Sequence, residues 1–253
     1  MDESKARLLR LVPDDGASVE LRGLLRHRAT RVVSGDDPGR GFALAPPYRI
    51  AAAFGRPGPA ELERLVDETV ALGLDPLAFE LHAQTGDVER WDAEGLVEAH
   101  PPALRFDWPD RASAQLVALV RHEVRALQDD DEALQTLPDG LIDELAAQEE
   151  FPACAASFAG GAVASLAYAF VETETLWDVS IETVSAFRRE GFGASAAAFL
   201  IERQLQRGLR PVWSASTENA ASLALAAKLG FELAGAIGVA RIREGRARIR
   251  DER

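Results

Sequence analysis

The sequence predicts an α/β protein of the α+β type: a mixed, mostly antiparallel sheet flanked by helices and preceded by a smaller α/β domain. Three observations carry this expectation. Alternating apolar positions, the period of a half-buried strand, recur between segments whose apolar residues stand three or four apart, the period of an amphipathic helix. A length of 253 residues exceeds the usual size of one domain, and an apolar content of 47% suffices for two cores. Near the C-terminus the strand-like Leu176–Thr183 runs through two glycines, Gly191 and Gly193, into a helix.

In chain order, Ile50–Phe54 is an apolar strand closed by Gly55, and Leu62, Leu65, Val66 and Val70 mark a helix that starts after Pro59 and ends near Gly73. The prolines of Ala99-His100-Pro101-Pro102 interrupt regular structure and set a boundary between domains 1–100 and 101–253. Leu104–Trp108 reads as the first strand of the second domain. Leu116, Leu119, Val120, Val124 and Leu127 predict a first helix, and Asp139–Gln148 a second. Three strands follow in a meander, Ala153–Phe158, Ala162–Val171 and Leu176–Thr183, with Gly160-Gly161 suited to a tight hairpin turn. The next helix repeats Ala197, Ile201 and Leu205 until Gly208 caps it; Pro211–Ser216 is a strand, Ala220–Leu229 a helix between Asn219 and Gly230, and Gly235–Arg243 a closing strand. No internal repeat is visible.

Composition excludes several classes. A formal charge of -13 argues against nucleic acid and mildly favours a cationic substrate. The chain has no run of about 18 apolar residues for a membrane span, and its first ten residues are too charged for a signal peptide, which predicts a cytoplasmic protein. Cys154 is the only cysteine, and His27, His82, His100 and His122 lack metal-ligand spacing, so no metal is expected and the histidines read as surface or satisfied groups.

Glycines between a strand and a helix turn backbone N–H groups toward an anion, and the helix N-terminus adds roughly half a positive charge. A pyrophosphate fits such a junction. Arg188-x-x-Gly191-x-Gly193-Ala194 resembles the Arg/Gln-x-x-Gly-x-Gly/Ala loop that holds coenzyme A in the GNAT superfamily of acyl-CoA N-acyltransferases, and Asn219 through Lys228-Leu229-Gly230-Phe231 is similar to that family's Asn-led late helix. A narrower resemblance, through Trp177–Thr183, Gly208–Trp213 and Asn219-x-x-Ser222, is to a bacterial subgroup that includes zwittermicin-resistance acetyltransferases. The resemblance implies acetyl-CoA as cosubstrate, with Ile181, Glu182 and Thr183 as main-chain contacts. Arg188, Arg189, Gly191, Phe192, Gly193 and Ala194 would surround the pyrophosphate, and Asn219 and Ser222 would meet the cofactor arm.

An amine must lose a proton before its nitrogen attacks a thioester, and a carboxylate beside this strand is the natural base. Asp178, Glu182 and Glu172 are the candidates, and even spacing puts Asp178 and Glu182 on one strand face. The family's late-helix Tyr is replaced by Ala226, and the two tyrosines, Tyr48 and Tyr168, lie elsewhere, which leaves the general acid unassigned. The expected activity is direct acetyl transfer to a small-molecule amine, with a longer acyl donor or a catalytically silent acyl-CoA sensor as alternatives. The first domain would shape the acceptor side, and a homodimer stays open.

Overall fold

The computed structural model describes residues 2–109, 115–137, 139–146, 148 and 150–244. Helices α1 (Glu3–Leu11) and α2 (Val19–Arg26) lead into strands β1 (Arg31–Ser34), β2 (Gly41–Ala45) and β3 (Ile50–Phe54), then α3 (Pro59–Ala71), β4 (Glu80–Ala83), α4 (Thr85–Ala93) and β5 (Val97–Asp107). The rest is α5 (Leu116–Leu119), β6 (Glu123–Ala126), α6 (Asp139–Ala146), β7 (Cys154–Ala159), β8 (Ala162–Glu172), β9 (Leu176–Thr183), α7 (Phe192–Gln206), β10 (Arg210–Ser216), α8 (Ala220–Leu229) and β11 (Glu232–Ile242). The strands form one mixed, mostly antiparallel sheet in the order β1-β2-β3-β4-β11-β5-β10-β9-β8-β7-β6.

That order contains a repeat which the sequence does not display. In each half an antiparallel meander (β1-β2-β3, then β7-β8-β9) is followed by a helix, by a strand parallel to the third (β4, then β10), by a second helix and by a final strand (β5, then β11). The final strands are exchanged. β5 pairs with β10 of the other half, β11 pairs with β4, and the two pair with each other at the centre.

The boundary expected between residues 100 and 101 falls inside β5. The two prolines do not break the strand, because the β5–β11 register shifts there: His100 faces Val239 and Ala103 faces Ile237, so Pro101 and Pro102 bulge opposite Gly238. A bulge is where a sheet tolerates residues that cannot donate to the ladder. The expected helix over residues 116–127 is overturned. Only Leu116–Leu119 is helical, and Glu123–Ala126 is edge strand β6, paired with β7, with half-buried Val124 and Ala126 alternating with exposed Glu123 and Arg125. The residues ahead of that helix, 110–114, lie outside the described ones.

Alternation along the strands builds two faces. On the outer face Leu62 and Leu65 of α3 and Val88 and Trp91 of α4 cover Phe42, Leu44, Ala51 and Leu81, while α7 covers Ala155, Ala167, Trp177 and Val179. On the inner face α2 touches β2 and β3 of one wing and β8 and β9 of the other, so the sheet curls around it. Leu24 packs on Ala45, Ile50, Ala52 and Val171. Contact is closest at Gly23, where a Cβ would lie 2.5 Å from Val171 Cβ. Helix α6 covers β7 and β8 on this face, through Leu141 and Leu145 against Phe158, Leu166 and Tyr168.

Candidate active site

β9 and β10 pair in parallel only from Leu176/Arg210 to Asp178/Val212. Beyond Val212, β10 pairs with β5 and β9 continues to Thr183 against β8. The main-chain groups of Ile181 and Glu182 therefore stand beyond the β10 pairing, in a gap between two strands that part.

The gap ends at the glycine junction. Gly191 adopts φ 95° and Arg189 φ 68°, and Gly191 is the N-cap of α7 with no side chain bonded to the helix start. The first-turn N–H groups of Phe192, Gly193 and Ala194 have no acceptor within the helix, a geometry suited to an anion. Close approach favours glycine at 193: a Cβ there would lie 3.0 Å from Thr183 Oγ1 and 3.6 Å from Ser165 Oγ. Those two hydroxyls bond each other at 2.8 Å, and Ser165 Oγ also donates to the Glu182 carbonyl at 2.7 Å, which fixes the end of β9 against β8.

Residues that sequence reasoning passed over hold this junction. The His122 ring stacks on Phe192 at 3.8 Å, and its Nε2 lies 3.0 Å from the Glu190 carbonyl. Buried Ser195 donates to the Leu119 carbonyl at 2.9 Å and accepts from the Arg121 N–H at 3.0 Å. A lone histidine far away in sequence carries no spacing signal, so neither contact was legible.

The second half of the chain thus has a cradle a pyrophosphate fits, and the equivalent junction of the first half does not. Between β3 and α3, Glu61 Oε2 accepts from the Gly58 N–H at 2.8 Å, Arg40 Nε lies 3.2 Å from Glu61 Oε1, and Pro59 at the first helical position has no N–H. A buried carboxylate of the protein already occupies the anion position.

The three candidate bases separate. Glu172 faces Trp177 across β8 and β9, and its Oε1 accepts from Gln204 Nε2 at 2.6 Å with Arg207 3.6 Å away, at the far end of α7 from the glycines. Glu182 is exposed, and its Oε1 lies 3.3 Å from Arg188 Nη2, while Arg188 Nε donates to the Thr183 carbonyl at 3.1 Å. Asp178 and Glu182 do share the inner face, yet four residues at about 3.3 Å each put them roughly 13 Å apart, too far for a carboxylate pair. Asp178 is different. It is 7% exposed, its Oδ1 has no hydrogen-bond partner, and burial, reinforced by the nearby Glu20 carboxylate, pushes its pKa up to about 8 against the pull of His82.

Arg189 is exposed beside the junction. Asn219 caps α8, its Oδ1 accepting from the Ser222 N–H at 3.0 Å, and Ser222 Oγ accepts from Trp213 Nε1 at 3.0 Å. Ala226 of α8 is fully buried. Among the described residues no group of three His, Cys, Asp or Glu side chains converges on a metal position, and no helix is long and apolar enough to cross a membrane.

Residues 154–239, the segment with the parting strands and the glycine junction, match the family model for GNAT acetyltransferase. No curated protein sequence matches the chain. Solved structures share the whole architecture. A GCN5-related N-acetyltransferase-like protein from Streptococcus suis is 19% identical over 95% of this chain and 99% of its own, with a TM-score of 0.71. A GCN5-related N-acetyltransferase from Kribbella flavida is 15% identical over 94% and 96%, at 0.63. A tandem GNAT protein from the clavulanic acid biosynthesis pathway is 16% identical over 94% of each chain, at 0.56. The family match is confined to residues 154–239, while the solved structures share the fold along nearly the whole chain.

Proposed function

We propose that the protein transfers an acetyl group from acetyl-CoA directly to the amine of a small molecule, with residues 101–253 holding the cofactor and residues 1–100 forming much of the acceptor side. The observation that carries this reading is the conjunction of an uncapped helix start at Gly191 with a buried carboxylate at Asp178, one of whose oxygens has no partner, on the strand that parts from its neighbour and leads to that helix. The N–H groups of Phe192, Gly193 and Ala194 take the pyrophosphate, assisted by exposed Arg189, and Arg188 orders the end of β9. The main chain of Ile181, Glu182 and Thr183 lies along the acyl arm, and a backbone N–H there meets the oxygen that becomes negative as the amine attacks. Asp178 takes the proton from the attacking nitrogen. The leaving thiolate takes a proton from solvent, since a thiol pKa of about 8.5 makes it a tolerable leaving group. The resemblance to zwittermicin-resistance acetyltransferases makes an antibiotic-like amine one acceptor class, and the acidic charge balance makes a polyamine another.

Free thiol released from acetyl-CoA with a panel of amines tests the reaction. Acetyl-CoA at about 100 times its dissociation constant should stabilise the fold by roughly 2.7 kcal/mol, and Gly191→Asp should abolish that shift by placing a carboxylate in the cradle. Cofactor binding without thiol release from any amine would favour a silent sensor. Asp178→Asn should lose on the order of 100-fold in turnover while keeping the melting shift, and near-normal turnover would remove Asp178 as the base.

A further inference from the structure

The turn ahead of α7 holds two left-handed residues in three positions: Arg189 at φ 68° and Gly191 at φ 95°, with Glu190 between them. For arginine that conformation is costly, and such backbone persists only where surrounding contacts hold it. The holding contact comes from outside the turn. His122, in the link between α5 and β6, places Nε2 3.0 Å from the Glu190 carbonyl oxygen, and since a carbonyl only accepts, that nitrogen carries the proton. Its ring is stacked on Phe192 at 3.8 Å and 25°, and Phe187 meets the same phenyl edge-on at 5.6 Å. The link itself is pinned. Ser195 Oγ donates to the Leu119 carbonyl and accepts from the Arg121 N–H, so the histidine is fixed to the helix whose start it serves.

That hydrogen bond decides which way one peptide faces. In a trans peptide the carbonyl and the following N–H point in opposite directions, so a Glu190 carbonyl turned to His122 aims the Gly191 N–H away from it. Left-handed Gly191 followed by helical Phe192 then gathers the N–H groups of Gly191, Phe192 and Gly193 into one concavity, a form of backbone that holds an anion. Rotation of the Glu190–Gly191 peptide by half a turn would exchange the first of those donors for a carbonyl oxygen, and glycine tolerates the change because it populates positive and negative φ alike. We propose that His122 is a positioning residue for the cofactor's pyrophosphate, a lock on the Glu190–Gly191 peptide that keeps an N–H, not a carbonyl, toward the anion. This inference rests on the acetyltransferase reading for the identity of the anion, and it adds the Gly191 N–H to the three of the first helical turn. His122 supplies no ligand atom; it acts through the peptide it holds.

Coenzyme A, pantetheine and inorganic pyrophosphate would be titrated calorimetrically into the full chain and two variants, with the Gly191 amide followed by NMR. His122→Phe keeps a ring to stack on Phe192 and removes the donor; His122→Gln gives up the ring and keeps an N–H at similar reach. In the parent protein coenzyme A should move the Gly191 N–H resonance downfield as it bonds a phosphate oxygen. His122→Phe should bind coenzyme A about tenfold more weakly, the worth of one hydrogen bond to a charged group, and without that resonance shift. Pantetheine, which has no pyrophosphate, should bind it as before, and His122→Gln should recover most of the loss. An unchanged coenzyme A affinity in His122→Phe overturns the lock. So does an equal loss for coenzyme A and pantetheine in both variants with a lowered melting temperature, the mark of a ring that only packs. If the parent binds no coenzyme A, the acetyltransferase reading falls and the lock is judged on inorganic pyrophosphate: a Gly191 N–H that pyrophosphate shifts in the parent and not in His122→Phe keeps it, and one that shifts in both or in neither removes it.

Discussion

Asp178 sets folding against chemistry. Its pKa is raised to about 8 in the folded protein, so from the unfolded value near 4 up to about 8 the native state holds a proton that the unfolded chain has released. The sign follows: across that window its contribution to stability falls as pH rises. His82, whose burial is outweighed by the carboxylates of Glu20 and Glu80, is also raised; it stabilises fully below about 6.5 and loses that contribution as pH rises through about 10. Both push the same way, so the melting temperature should decline from pH 6 to pH 10. Asp178→Asn should be more stable than the parent at pH 8 by on the order of a few kcal/mol, a difference that shrinks toward pH 4. Equal melting temperatures of the two proteins at both pH values would mean that the Asp178 carboxyl is solvated. At this scale the sequence was partly legible. Strand alternation correctly put Asp178 and Glu182 on one face, but it carries no information about burial or about the distance that separates them. Glu20 and His82 stand 62 residues apart, and nothing in their spacing announced the pair that meets at 2.8 Å.

Elements set a junction open to an anion in one half of the molecule against a filled one in the other. The two strand-to-helix junctions occupy equivalent places in the repeat, and a buried glutamate and a proline at the helix start set the first apart from the second. With Glu61 already on the Gly58 N–H, calorimetric titration should find one acetyl-CoA per chain; a stoichiometry of two would show that Glu61 yields its place. Helix α2 makes a second test. A methyl group at Gly23 has no room against Val171, so Gly23→Ala should destabilise the protein by about 1–3 kcal/mol in chemical denaturation. An unchanged midpoint would mean that the helix can lift from β8. The strands from Cys154 onward, α3, α7 and α8 were legible because their periods and caps are local. The stretch 116–127 was not, because Leu116, Leu119, Val120, Val124 and Leu127 satisfy a helical period while an edge pairing with β7 settles the outcome for the last of them.

For the whole molecule, the exchanged final strands decide how it unfolds. Neither half can complete its sheet alone: β4 borrows β11, and β10 borrows β5. Heat or denaturant should melt the protein in one transition rather than two, and a fragment of residues 101–253 should fail to fold by itself, since cutting at 100/101 severs β5 and strips β11 of β4. A soluble fragment with cofactor affinity would show that the second half is self-sufficient. The repeat behind this arrangement escaped sequence reasoning because topology repeats where residues do not: the β3–α3 turn is Gly55-Arg56-Pro57-Gly58, and its counterpart is far longer.

The exchange also orders events during synthesis. As the nascent chain leaves the ribosome, β4 emerges with an open edge, and the strand that covers it is the last of the sheet to be made. The first half must wait, exposing backbone donors and acceptors that invite pairing with other chains. Translation that stalls before Glu232 should leave an aggregation-prone product, however well its early segments are formed.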